Sequence, residues 1–99
     1  MEKKTKIYIS GGITNVDNYQ EKFNNAQCKL EKLGYSVINP AKILDGMPSD
    51  TTWDEYMELC IVMLGQSDVI CMLPQWQQSS GAKIERQTAI ELNKDILYI

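Results

Sequence analysis

Ninety-nine residues give room for one core and one modest site, because a chain of this size buries only about 60–65% of its unfolded surface. The net charge of -3 argues against duplex nucleic acid as a partner, and apolar blocks no longer than Val69–Pro74 argue against a membrane span. The absence of histidine removes Ser-His-Asp and Cys-His nucleophile pairs and the usual zinc sites, so any chemistry falls to carboxylates, hydroxyls, backbone amides or an unassisted thiol.

The chain opens on Met1-Glu2-Lys3-Lys4, with no apolar run that would serve as a secretory signal, and a cytoplasmic protein is expected. Thr5–Ser10 (TKIYIS) is β-branched and aromatic and ends at Gly11-Gly12, the pattern of a strand followed by a glycine turn. From Val16 onward, Tyr19, Phe23, Ala26 and Leu30 recur at three- and four-residue spacing, which predicts an amphipathic helix stopped by Gly34. Tyr35–Ile38 is a second short strand cut off by Pro40, and Ala41–Asp50 reads as a loop. Ser49 or Asp50 caps a second helix reaching to about Gly65, with Tyr56, Met57, Cys60, Met63 and Leu64 as its apolar face. Asp68–Leu73 (DVICML) is nearly all apolar, as a central parallel strand covered on both faces requires. A polar loop, Pro74–Ser80, carries Trp76; a third helix then runs from near Ser80 to Asn93, and Ile96–Ile99 is a fourth strand.

Strands alternating with helices imply a parallel sheet with right-handed crossovers. The expected architecture is one small doubly wound α/β domain over residues 1–99, flavodoxin- or Rossmann-like, with strand order 2-1-3-4 and helices on both faces. Cys28, Cys60 and Cys71 each lie in an apolar stretch, with no pair at metal spacing, and read as reduced, buried thiols.

In such a sheet a ligand sits beyond the carboxyl ends of the strands where the order reverses, here between the first and third strands. Ser10-Gly11-Gly12 either lets a ligand approach the backbone or is a tight turn needing positive φ. Tyr8 shares a strand face with Ser10, and its ring either packs on a helix or brings its hydroxyl to a carboxylate. Ser79 and Ser80 suit a helix N-terminus, where unpaired amides attract an anion, and Gly81 and Ala82 leave space above the first turn. Glu85 follows in that turn or just beyond it, either as a dipole-complementing surface residue or as a carboxylate kept ionised for nucleophilic attack. Trp76 covers the core or provides a stacking wall for a base.

These residues carry a resemblance. Tyr8-Ile9-Ser10-Gly11-Gly12-Ile13, Asn39-Pro40, Trp53 with Tyr56-Met57, and the run from Asp68 through Leu73-Pro74, Trp76, Ser79, Gly81-Ala82 and Glu85 to Ala89 resemble a small family common in bacteriophages and prophages. That family is related to the nucleoside 2-deoxyribosyltransferases and the deoxynucleoside 5′-monophosphate N-glycosidases. The resemblance covers almost the whole chain, and W-x-x-S-x-G-A-x-x-E is its specific part. It implies that Glu85 matches the glutamate that attacks the anomeric carbon of deoxyribose, and Tyr8 the tyrosine that positions it. Ser79 and Gly81 match residues that help hold a 5′-phosphate. Relatives are dimers or larger, with sites completed by a neighbouring subunit, so a homo-oligomer is implied. One position departs from the pattern: many relatives carry an aspartate eight residues ahead of the Asp that opens the third strand, where this chain has Cys60. A retaining glycosidic mechanism uses a second carboxyl about 5–5.5 Å from the nucleophile. Asp54, Glu55 and Glu58 are the nearby candidates, while Asp68, at the amino end of the sheet, reads as structural.

The leading expectation is an N-glycosidic-bond enzyme acting on a small-molecule nucleoside or nucleotide, without metal or redox cofactor. Glu85 is its nucleophile and Tyr8 its orienter; Ser10, Gly11, Gly12, Ser79, Ser80 and Gly81 hold the sugar and phosphate, and Trp76 the base. The alternatives are a phage-type module that binds or sequesters a nucleotide without turnover, and a structural oligomer with a vestigial site.

Overall fold

Alternation along β1 (Lys6–Ser10) decides how the layers form in the computed structural model, which describes residues 3–99. Met1 and Glu2, where the reading of the chain's polar start begins, lie outside the described residues. Successive strand side chains point to opposite faces. Ile7 and Ile9 therefore join Phe23, Ala26 and Leu30 in one core, while Tyr8 joins Cys60, Leu64, Ala82 and Ala89 in another. β3 (Val69–Met72) divides in the same way, with Cys71 on the first side and Ile70 and Met72 on the second.

β1 pairs in parallel with β2 (Ser36–Ile38) and β3, and β3 with β4 (Asp95–Tyr98). The order is β2-β1-β3-β4, the expected 2-1-3-4 arrangement. α1 (Tyr19–Lys32) covers one face; α3 (Trp53–Gly65) and α4 (Ser80–Glu91) cover the other. At the amino end of the sheet, Asp68 Oδ2 accepts from the Lys6 amide at 2.9 Å, and the Asp68 amide donates to Lys6 O at 2.8 Å. This clamp sets the register of the two central strands, the structural role read for Asp68. No helix among the described residues is long and apolar enough to cross a membrane.

Several boundaries differ from expectation. α1 begins at Tyr19 rather than Val16 because Asn15 and Asn18 have φ of 58° and 59°, a left-handed backbone that cannot lie inside a right-handed helix. The segment expected to be a loop begins as α2 (Pro40–Ile43) and a 3₁₀ turn, Leu44–Gly46. Asn39 caps α2 by accepting from the Lys42 amide at 3.2 Å, and Pro40 occupies the first turn, where its missing N–H costs nothing. α3 is capped by Thr52, not by Ser49 or Asp50: its hydroxyl accepts from the Glu55 amide while Glu55 Oε1 accepts from the Thr52 amide, a reciprocal box. Cys60 and Cys71 are buried as expected, but Cys28 lies on the exposed side of α1.

Candidate functional site

Tyr8 and Ser10 stand two residues apart at the carboxyl end of β1, on the face that α3 and α4 cover. Glu85 comes down onto them from α4. The Tyr8 hydroxyl donates to Glu85 Oε2 at 2.6 Å, and Ser10 Oγ donates to Oε1 at 2.7 Å. Both carboxylate oxygens are thus held by hydroxyls from a segment more than seventy residues away in sequence, and Glu85 is only 5% exposed. Cys60, from α3, lies in the same core cluster as Tyr8 and lines the cavity with Glu85.

The electrostatics follow from burial. Loss of water lifts the Glu85 carboxyl above the usual carboxylate range, opposed by hydrogen bonds from Ser10, Tyr8 and Cys60. The helix dipole was expected to keep Glu85 ionised, but Glu85 is the sixth residue of α4, beyond the first turn where the dipole acts. Burial also pushes the Tyr8 phenol well above its ordinary value, with the Glu85 charge adding to the effect. The Cys60 thiol is pushed up to about 11, again by burial first.

A broad open cavity of about 1430 Å³ lies over the carboxyl ends of the strands, with Tyr8, Cys60 and Glu85 in its lining. Gly11, Gly12, Ser79, Ser80 and Gly81 line it as well. Ser79 caps α4, its Oγ accepting from the Ala82 amide at 3.1 Å. Gly11 is required by packing rather than by positive φ: a Cβ there would lie 2.9 Å from Leu73 Cδ1 and 3.0 Å from Leu73 Cβ. The space expected above Gly81 is narrowed by Met57, whose Sδ lies 3.2 Å from where a Cβ would stand.

Ser10 and Trp76, read as holders of the sugar and the base, stand back from the cavity. Ser10 is fully buried, with its hydroxyl donating to Glu85. Trp76 is absent from the cavity lining. Its ring packs against Tyr98, centroids 6.2 Å apart, with the Arg86 guanidinium carbon 4.9 Å from the Trp76 centroid. Trp76 belongs to a short 3₁₀ turn, Trp76–Gln78, and is partly buried against the core that includes Tyr8, Ala82 and Ala89, one of the two roles its sequence position allowed.

The nearby acids read from the sequence also face elsewhere. Glu55 closes the α3 cap, and Asp54 and Glu58 border a shallow apolar groove between α3 and α4. Asp45 is the second carboxylate in the cavity lining, and its Oδ1 accepts from Gln20 Nε2 at 2.8 Å. Sequence reasoning left Asp45 and the Pro40-Ala41 wall out of the site. The available signal was Asn39-Pro40, a helix cap followed by a first-turn proline. Asn39 further anchors that wall by donating to Asn24 and Gln27 of α1.

A family model described as a domain of unknown function (DUF4406) matches residues 5–98. No curated protein sequence matches. Among solved structures, a 2-deoxyribosyltransferase from the psychrotolerant bacterium Bacillus psychrosaccharolyticus superposes with a TM-score of 0.76 at 15% identity, covering 95% of this chain and 71% of that one. The two chains share the α/β fold, with its four parallel strands in the order 2-1-3-4.

Proposed function

The chain belongs to the DUF4406 family, and we propose that it cleaves or transfers the N-glycosidic bond of a nucleoside or nucleotide with Glu85 as nucleophile. The observation that carries this reading is the buried carboxylate at the edge of an open cavity, aimed by two hydroxyls. The shared fold with a 2-deoxyribosyltransferase supports it.

Glu85 attacks the anomeric carbon, the base departs, and water or a second base takes the sugar from the resulting glycosyl ester. Tyr8 and Ser10 hold the carboxylate so that it need not reorganise as it attacks. Ser79, Ser80 and Gly81 border the cavity at the N-terminus of α4, where free amides suit a sugar hydroxyl or 5′-phosphate. A homo-oligomer is part of the proposal. Trp53, Val62 and Ile84 expose apolar surface on α3 and α4, which a second copy would cover, and sedimentation would report the dimer.

The test is a chromatographic time course with nucleosides and their 5′-monophosphates, following free base. Base release that disappears in Glu85→Gln supports the reading; silence across the panel overturns it. One observation favours a second reading, a phage-type module that binds or sequesters a nucleotide without turnover: the position facing Glu85 is the thiol of Cys60, a poor acid. That reading predicts stoichiometric retention of a nucleotide with no product.

A further inference from the structure

Among the described residues of one copy, no second carboxyl is gathered at Glu85 to protonate an ordinary leaving base. A neutral purine or pyrimidine leaves as an anion unless it is protonated, and positioned general acids contribute typically 10²–10⁴-fold. The groups gathered at Glu85 are a phenol, a hydroxyl and a thiol. Burial pushes the thiol to about 11 and the phenol well above its ordinary value, which makes both weak proton donors to a leaving group. Among the described residues, the other side-chain carboxylate of the lining, Asp45, lies in the turn after α2 and accepts from Gln20 of α1, and the lining lysines, Lys22 and Lys29, belong to α1, which packs on the opposite face of the sheet from Tyr8.

The nucleophile has the complementary need. Its two strongest partners are uncharged hydroxyls, and burial disfavours the ionised form required for attack. A positive charge brought within about 4–6 Å would favour that form.

Both needs are met by one class of substrate. We propose that the site acts on cationic N-glycosides, nucleosides or nucleotides whose leaving group is a pyridinium or an N-alkylated purinium. The inference rests on the reading of Glu85 as nucleophile. As Glu85 Oε bonds to the anomeric carbon, the C–N bond breaks and its electron pair passes to the ring nitrogen. The cationic ring thereby leaves as a neutral heterocycle, with no proton supplied. Water then attacks the anomeric carbon, the glycosyl ester opens to return the Glu85 carboxylate, and one proton goes to solvent. Cys60 is on this view a positioning group: its uncharged thiol packs beside Tyr8 and lines the cavity with Glu85, where a carboxylate would raise the nucleophile's pKa further.

The experiment compares matched pairs on the full chain: guanosine with 7-methylguanosine, 2′-deoxyguanosine with 7-methyl-2′-deoxyguanosine, and nicotinamide riboside with inosine, each also as the 5′-monophosphate. Free base is measured against Glu85→Gln as the blank. The expected result is Glu85-dependent release from at least one cationic member, with kcat/KM at least roughly 100-fold above its neutral partner, the contribution of a missing general acid. Cys60→Asp, which restores a carboxyl beside Glu85, should narrow that ratio at least tenfold by raising turnover of the neutral partner. Glu85-dependent release from neutral members at rates within tenfold of the cationic ones overturns this inference and leaves the glycosidic reading standing. No release from either class overturns both. Should Cys60→Asp fail to fold, the wild-type ratio still decides.

Discussion

Tyr8→Phe isolates the bond on which the site is built. It removes the hydroxyl that donates to Glu85 Oε2 at 2.6 Å and leaves Ser10, at 2.7 Å on the other oxygen, as the remaining strong donor to a carboxyl that is almost fully buried. A hydrogen bond to a charged group contributes about 1.5–3 kcal/mol, against about 1 kcal/mol for a neutral pair. The loss should therefore depend on the protonation of Glu85. Below the ordinary carboxylate range Glu85 is protonated both folded and unfolded, and the variant loses about 1 kcal/mol. Above the raised folded pKa the carboxylate is ionised, and the loss grows to about 1.5–3 kcal/mol. The difference moves the Glu85 titration upward, because losing the Tyr8 donor disfavours the ionised form. Urea unfolding of both proteins across a pH series, from below the ordinary carboxylate range to above the Glu85 titration followed by carbon-detected NMR of the side-chain carboxyl, measures the two losses. An equal loss at both ends of the series, with an unmoved Glu85 titration, would refute the reasoning and leave Tyr8 as packing alone.

Glu85→Gln tests the same electrostatics from the other side. Because burial raises the folded pKa of Glu85, the stability tied to its proton is present below the unfolded carboxylate range and lost as pH rises through the folded value. The variant has no such loss, so its stability relative to wild type should climb with pH across that window; parallel profiles would contradict this. Gly11→Ala should cost about 1–3 kcal/mol in denaturant unfolding, since the new methyl meets Leu73 at 2.9–3.0 Å in a packed core. A neutral effect would mean the turn yields freely. In a thiol assay of the folded protein, Cys28 should react rapidly, while Cys60 and Cys71, buried and pushed up to about 11, should react only on unfolding. Rapid reaction of all three in the folded state would show that the packing opens on both faces of the sheet.

What the sequence by itself determined was whatever is written among near neighbours. The β-branched run ending at Gly11, the three- and four-residue spacing of Phe23, Ala26 and Leu30, and the apolar block around Ile70 each specify an element locally. Together with the handedness of parallel crossovers, they imply the 2-1-3-4 sheet and where its reversal point lies. Ser79 marked the start of α4, and alternation alone put Tyr8 and Ser10 on one face. Two local signals, Asn39-Pro40 and Thr52-x-x-Glu55, also have the form of caps, but Pro40 equally suits a strand stop, and Ser49 and Asp50 compete with Thr52 as cap residues. The rest required three dimensions. Trp76 has the composition of a base wall, but a 3₁₀ turn carries its ring to Arg86 and Tyr98. Glu85 has the position of an ionised carboxylate, but water is excluded around it by strands and helices whose residues lie tens of positions away. Caps, turns and periodicity act over about four residues and can be read in order along a chain. Desolvation and the pairing of Tyr8, Ser10 and Cys60 with Glu85 are sums over every element packed at one point, and only the tertiary structure brings those elements together.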